Sequence, residues 1–259
     1  MTSILDNIYA AKRVEVRARR NVVSPMAIVA EAGRAPTPRD FIGALRARRP
    51  AIIAEIKRAS PSKGDIMPGL DPANVALEYV AGGAAAISVL TDVHFKGALD
   101  DLRAVRAAVE VPLLRKDFIF EPYQVYEARA AGADCILLIA AMLKEGELRS
   151  MAALARELGM ATLVESHDVA EFALAEKIGA AMIGINNRDL HTFVTDIAVT
   201  ERILAGYKGD AAIVAESGID SPDDIRRLDA AGAHAFLIGE SLLKGGQPGA
   251  KLGELMRAL

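Results

Sequence analysis

Apolar residues in this chain fall in short runs, and segments of helical period separate one run from the next. Eight runs have the length and β-branched content of buried strands: 51–57, 85–91, 111–116, 134–140, 161–165, 182–186, 212–216 and 235–239. Their starts recur roughly every 20 to 35 residues, the length that a strand, a helix and two loops require. In the gaps, Asp71-Pro72 and Ser221-Pro222-Asp223-Asp224 read as helix starts. One phrase precedes four of the runs: Ala-Gly-Gly-Ala at 81–84, Ala-Gly-Ala-Asp at 131–134, Ile-Gly-Ala-Ala at 178–181 and Ala-Gly-Ala-His at 231–234. Glycine there ends a helix in the left-handed conformation, and alanine turns the chain tightly into the next strand. A junction repeated in this way predicts an α/β fold, a closed (β/α)8 TIM barrel over residues 50–259. An open doubly wound sheet is the alternative, but no Gly-x-Gly-x-x-Gly follows the first strand.

Residues 1–49 stand outside that count as an N-terminal helical extension. Ile4, Leu5, Ile8 and Ala11 recur at helical spacing, and the basic residues that follow are expected to face solvent. A second helix is expected from Pro25 to Ala32 and a third after Pro38. The extension reads as a cap on an open end of the barrel, so that residues 1–259 form one domain; a separate binding tail is the other reading.

Alternate residues of a strand share a face. In the first strand, Ile52, Ala54 and Ile56 make a uniformly apolar face suited to the outer helices. Ile53, Glu55 and Lys57 then point inward, with the charges toward the C-terminal mouth. The same alternation turns inward Leu114 and Lys116, Leu163 and Glu165, Gly184 and Asn186, and Val214 and Glu216, with Arg188 just beyond. Charged side chains are seldom buried unless paired. Buried ion pairs closing the barrel would account for any one of them. Five strands ending alike, at the face where barrels of this kind carry their chemistry, point to a catalytic site. Ser217-Gly218 after strand seven and Gly239-Glu240-Ser241 after strand eight offer backbone amides where phosphate-binding barrels hold phosphate. Lys57, and the Ser60-Pro61-Ser62-Lys63-Gly64 loop, could add charge from the other side.

Composition narrows the class. The chain has 259 residues, and 31 basic against 34 acidic side chains give a net charge of -3, which argues against a nucleic-acid binder. Its longest apolar runs, such as Cys135 to Leu143, are too short to span a membrane. One cysteine excludes an intrachain disulfide, and Cys135 reads as a small core residue. The N-terminus has no signal-peptide stretch, so a cytoplasmic protein is expected. His94, His167, His191 and His234 show no metal-ligand spacing, and His234, in a helix–strand turn, reads as structural. No metal and no cofactor are expected.

Ile4-Leu5-Asp6-Asn7-Ile8, the segment from Ala54 to Gly64 (Ala-Glu-Ile-Lys-Arg-Ala-Ser-Pro-Ser-Lys-Gly), Leu114-Arg115-Lys116-Asp117-Phe118, Gly184-Ile185-Asn186-Asn187-Arg188-Asp189-Leu190 and Ala215-Glu216-Ser217-Gly218 carry a resemblance. From end to end the chain resembles the indole-3-glycerol-phosphate synthases of tryptophan biosynthesis. The resemblance implies closure of 1-(2-carboxyphenylamino)-1-deoxyribulose 5-phosphate to indole-3-glycerol phosphate, with loss of carbon dioxide and water. It implies Lys116 as general acid for ring closure and Glu165 as a carboxylate of the dehydration step. Glu55 shares that second step and tunes the lysines; the division of protons between the two carboxylates stays open. By the same resemblance Lys57 binds the substrate anions and helps bend the substrate. Asn186 and Arg188 orient the anilino group and anchor the loops, and Glu216 contacts substrate. Ser217, Gly218, Gly239 and Glu240 surround the phosphate. Ser60 and Phe95 flank the substrate from loops, and Phe118 and Leu137 wall its ring.

One segment departs from the family pattern. Asp92-Val93-His94-Phe95-Lys96-Gly97-Ala98 has one aromatic where many relatives have two, and lacks their serine after the glycine. The implied partner is a small phosphorylated substrate, with no nucleic acid or membrane, and a monomer or weak homo-oligomer. Other readings are a phosphoribosylanthranilate isomerase-like barrel, a Schiff-base aldolase using Lys116, and a non-catalytic phosphate-ligand-binding barrel. The isomerase would be expected to carry a cysteine at the end of strand one, which here reads Glu-x-Lys.

Overall fold

The computed structural model describes residues 4–60, 64–67, 69–189, 192 and 194–259, with side chains from Asn7 onward. Pro61, Ser62, Lys63, Leu190 and His191, which the motifs above include, lie outside the described residues, as do the side chains of Ile4 and Leu5.

All eight expected strands form: β1 (Ala51–Ile56), β2 (Ala86–Leu90), β3 (Leu113–Lys116), β4 (Cys135–Ile139), β5 (Ala161–Ser166), β6 (Met182–Asn186), β7 (Ala212–Glu216) and β8 (Ala235–Ile238). Each pairs in parallel with its neighbours in sequence, and β8 returns to β1 in the register Ala51 with Ala235 and Ala54 with Ile238. The ring is closed, which removes the open-sheet alternative. The third strand starts at Leu113, two residues later than expected, after Pro112, which has no N–H to give a ladder.

Three helices precede the barrel, α1 (Ile4–Val22), α2 (Pro25–Arg34) and α3 (Phe41–Arg46). Between the strands lie α4 (Pro72–Ala81), α5 (Leu99–Ala108), α6 (Pro122–Ala130), α7 (Glu145–Glu157), α8 (Val169–Lys177), α9 (Ala198–Leu204) and α10 (Pro222–Ala231). The chain closes with α11 (Glu240–Leu243) and α12 (Pro248–Arg257). The expected start signals work as caps: Asp71 accepts from the Ala73 N–H at 3.0 Å, and the Ser221 hydroxyl from that of Asp224 at 3.3 Å. Gly83, Gly132, Gly179 and Gly232 of the repeated phrase all have positive φ.

Strand alternation divides the core in two. Ile52, Ala54 and Ile56 belong to the outer layer, packed under the helices. Ile53, Leu114, Cys135, Leu163 and Val214 fill the inside of the ring. Phe41 and Leu45 of α3 join that inner cluster beside Ala51, Ala212 and Ala235, the first residues of their strands, so α3 plugs the N-terminal end. The extension does more than cap one end. Ile28 of α2 packs with Val16 of α1 and Tyr123 of α6, and α1 reaches the opposite mouth.

There the expectation for the basic residues of α1 fails at Lys12, and Arg19 is half-buried against Glu127. Arg13, Arg17 and Arg20 are exposed, but Lys12 is fully buried. Its ammonium lies 2.5 Å from Asp92, 2.9 Å from Asp117 and 2.9 Å from Glu15, so three carboxylates replace the water it gives up. Asp117 also meets the Arg115 guanidinium at 2.9 Å, and Arg115 reaches Glu127. This buried network ties α1 to the loops after β2 and β3.

Candidate active site

The inward strand ends meet in one cavity of about 280 Å³ at the C-terminal mouth. Glu55, Lys57, Lys116, Glu165, Asn186, Arg188 and Glu216 all line it, as the alternation predicts. Phe95, Phe118, Leu137, Ser217, Gly218, Gly239 and Glu240 line it too. Ser60 does not: it is buried in a two-residue hairpin strand paired with Gly64.

Lys116 is the centre of the charge arrangement. Its Nζ lies 3.3 Å from Glu165 Oε2 and 3.5 Å from Glu216 Oε2. Burial disfavours the ammonium, but Glu165, Glu216 and Glu55 outweigh it and hold the lysine protonated, above its usual range. For Glu165 burial favours the neutral acid, yet Lys116, His167 and Asn186 keep it ionised, well below the usual carboxylate range. Glu216 goes the other way. Burial and the negative charge of Glu165 push it up to about 8, and neither of its oxygens has a hydrogen-bond partner among the described residues. Two carboxylates beside one ammonium are thus driven apart in pKa, as acid–base sites require. A second pair lies alongside, Lys57 Nζ to Glu55 Oε1 at 2.8 Å. Against the cost of burial, Lys57 and then Lys116 keep Glu55 ionised.

Two glycines make room for these carboxylates. A Cβ on Gly184 would stand 2.2 Å from Glu216 Oε1, and one on Gly239 2.6 Å from Glu55 Oε1. At the phosphate-type loops, Ser217 and Gly218 both take positive φ, 65° and 74°. The Ser241 hydroxyl donates to the Ile219 carbonyl at 2.8 Å and joins the β7 loop to the start of α11. Arg188 approaches Glu240 at 3.4 Å, which Lys244 also approaches. On the apolar side the rings of Phe95 and Phe118 stack with centroids 6.4 Å apart.

Among the contributors not identified in the sequence, two stand out. Ile8 of α1 lines the cavity. His167, just past β5, sits with Nε2 3.3 Å from Glu165 Oε1 and Nδ1 3.0 Å from Glu171 Oε2. Burial lowers its pKa, but hydrogen bonds to Glu165 and Glu171 dominate and push it up to about 10. The spacing Glu-x-His-x-x-x-Glu, with one acid at the strand end and the other a helical turn away, was a usable signal. His234 meets its structural expectation: its Nδ1 accepts the Ile213 N–H at 3.1 Å, away from the mouth. Cys135 is a buried free thiol inside the ring. Among the described residues no group of three or more His, Cys, Asp or Glu side chains is placed to hold a metal ion, and no helix is long and apolar enough to cross a membrane.

Comparison with known proteins places the chain beside one family. A family model described as indole-3-glycerol phosphate synthase matches residues 5–255. Proteins of that name from Azoarcus sp. (strain BH72) and Acidithiobacillus ferrooxidans (strain ATCC 53993) are 50% and 48% identical. The matches cover 97% and 98% of this chain and 98% and 99% of theirs. Among solved structures, a thiamine phosphate pyrophosphorylase from Pyrococcus furiosus matches with TM-score 0.60 at 18% identity, over 80% of this chain and 94% of its own, a likeness of fold alone.

Proposed function

The chain belongs to the indole-3-glycerol phosphate synthase family, and from that premise we propose how its side chains divide the reaction. The enzyme is a decarboxylating lyase of tryptophan biosynthesis. It closes 1-(2-carboxyphenylamino)-1-deoxyribulose 5-phosphate to indole-3-glycerol phosphate, with loss of carbon dioxide and water. The observation that carries the division of roles is the Lys116 ammonium held between Glu165 and Glu216 in the cavity.

In the first step the ring carbon bearing the carboxylate attacks the ketone carbon, and Lys116 gives its proton to the ketone oxygen. Carbon dioxide leaves, and its electron pair restores the aromatic ring. In the second step the new hydroxyl takes a proton from the Lys57 ammonium and departs as water, while the carbon next to nitrogen loses a proton, which the carboxylates return to Lys57. Glu165, ionised between two cations, is the base for that proton, and Glu55 tunes Lys57 and Lys116. Lys57 and Arg188 attract the substrate's anionic groups. Asn186 orients the anilino nitrogen, and Phe95, Phe118 and Leu137 pack its ring. Glu216 contacts substrate, and Ser217, Gly218, Gly239 and Glu240 surround the phosphate, with Ser60 supporting the loop. We read the extension and barrel as one domain acting without metal or cofactor, in the cytoplasm, as a monomer or weak homo-oligomer.

The test is indole fluorescence from the carboxyphenylamino-deoxyribulose phosphate with a chelator present. The chain contains no tryptophan, so the product signal stands on a low background. Turnover undiminished by the chelator is expected. No turnover with a substrate analogue still bound would mean a binding barrel instead.

A further inference from the structure

Proton accounting for this reaction leaves a deficit. The dehydration is balanced, because the proton lost from carbon equals the one that leaves in water. The decarboxylation is not: the substrate's carboxylate becomes neutral carbon dioxide, and the ketone oxygen has taken a proton from Lys116. Each turnover therefore draws one proton into the site from solvent, and Lys116 stays a neutral amine until it arrives.

We propose that Glu171 and His167 form the line along which Lys116 is recharged, a role that rests on the assignment of Lys116 as the acid of ring closure. Its groups lie in sequence, and the one link not aligned as a hydrogen bond at rest, His167 Nε2 to Glu165, is an ion-pair contact that a small turn of the ring closes. Glu171 Oε2 lies 3.0 Å from His167 Nδ1, His167 Nε2 lies 3.3 Å from Glu165 Oε1, and Glu165 Oε2 lies 3.3 Å from Lys116 Nζ. Exposure falls along it, from 22% for the Glu171 side chain to 13% for His167 and 4% for Glu165, so one end meets water and the other the cavity. The His167 backbone N–H also donates to Glu171 Oε2 at 2.8 Å, which fixes the carboxylate against the ring. Raised well above neutrality, the imidazole rests as a charged donor.

The steps conserve protons. The imidazolium Nε2–H bond breaks as an O–H bond forms on Glu165. That O–H bond breaks, after the carboxyl turns, as an N–H bond forms on Lys116. The imidazole, left bare at Nε2, then turns its ring and takes a proton from solvent at that nitrogen, while Nδ1 keeps its own. His167 and Glu171 reach Lys116 only through Glu165, so they are positioning residues that also hand on protons.

His167→Gln separates this role from a structural one. With enzyme in excess, every Lys116 is already charged, and ring closure with release of carbon dioxide in the first turnover is expected at the wild-type rate. With substrate in excess, the steady-state rate is expected to fall about 10-fold or more, with KM unchanged, and to recover as imidazole is added to the buffer. Glu171→Gln, at the water-facing end, is expected to show the same pattern more weakly, and provides the reading if His167→Gln does not fold. Steady-state rates unchanged in both variants would overturn the line. So would a first turnover slowed as much as the later ones with no effect of imidazole, since that marks a role in Glu165 geometry alone. A wild-type enzyme without turnover is a separate result: it would overturn the assigned reaction, and the relay with it.

Discussion

Lys116 has a carboxylate on either side, and the two differ in charge state near neutral pH. Glu165 keeps the lysine charged, while Glu216, raised to about 8, leaves the cluster short of one negative charge. Lys116→Met is expected to stop turnover, by a factor of roughly 10² to 10⁴ or more, while substrate still binds, because an acid's removal weakens the transition state more than the ground state. Equilibrium titration with substrate beside a turnover assay checks this, and wild-type-like turnover would remove Lys116 from the role. Glu165→Gln keeps shape and burial but cannot take a proton. Its rate is expected to drop by orders of magnitude with an unchanged circular dichroism spectrum, and an unchanged rate would move the dehydration role to Glu55.

Among the elements, α1 is tied to the mouth by one buried charge, Lys12. Lys12→Met keeps most of the volume and removes the charge, leaving Asp92 and Asp117 without their ammonium. Breaking one side of a buried ion cluster costs about 3–5 kcal/mol. The loss is expected in the docking of α1, read as faster hydrogen exchange of its amides, together with a raised KM as Ile8 leaves the cavity wall. An α1 as protected as in the wild type would show that Lys12 does not hold it. Strands and their faces were legible in the sequence because period two is a local signal: Glu55, Lys116, Glu165 and Glu216 each sit one alternation beyond an apolar residue, and Lys57 one beyond Glu55. Lys12 was not legible. A lysine on an amphipathic helix is solvent-facing by default, and the carboxylates that reverse this lie far along the chain in two loops. His167 was half legible, since its neighbours in sequence, Glu165 and Glu171, are its partners in space.

For the whole molecule, these shifted groups set the pH range of stability. Glu165, Glu55 and Asp117 are held below their ordinary values of 4.5, 4.5 and 3.8. Each adds stability that is complete above its ordinary value and is lost as pH falls below it. His167, raised from 6.5 to about 10, adds stability complete below 6.5 and lost as pH climbs toward 10. Glu216, raised from 4.5 to about 8, removes stability as pH rises between those values. Urea midpoints across pH are therefore expected to fall steeply below about 4.5 and more gently on the alkaline side. A midpoint flat through the acid range would contradict the buried, ionised carboxylates.

The ring of strands has no edge, and the chain's one thiol faces its interior. A reagent can reach Cys135 only when neighbouring strands part or the α3 plug lifts, whereas fraying of an outer helix or a loop leaves it sealed. Thiol-labelling kinetics on the unmodified enzyme would therefore act as a clock for breathing of the barrel itself, with no engineered probe and no second cysteine to confuse the count.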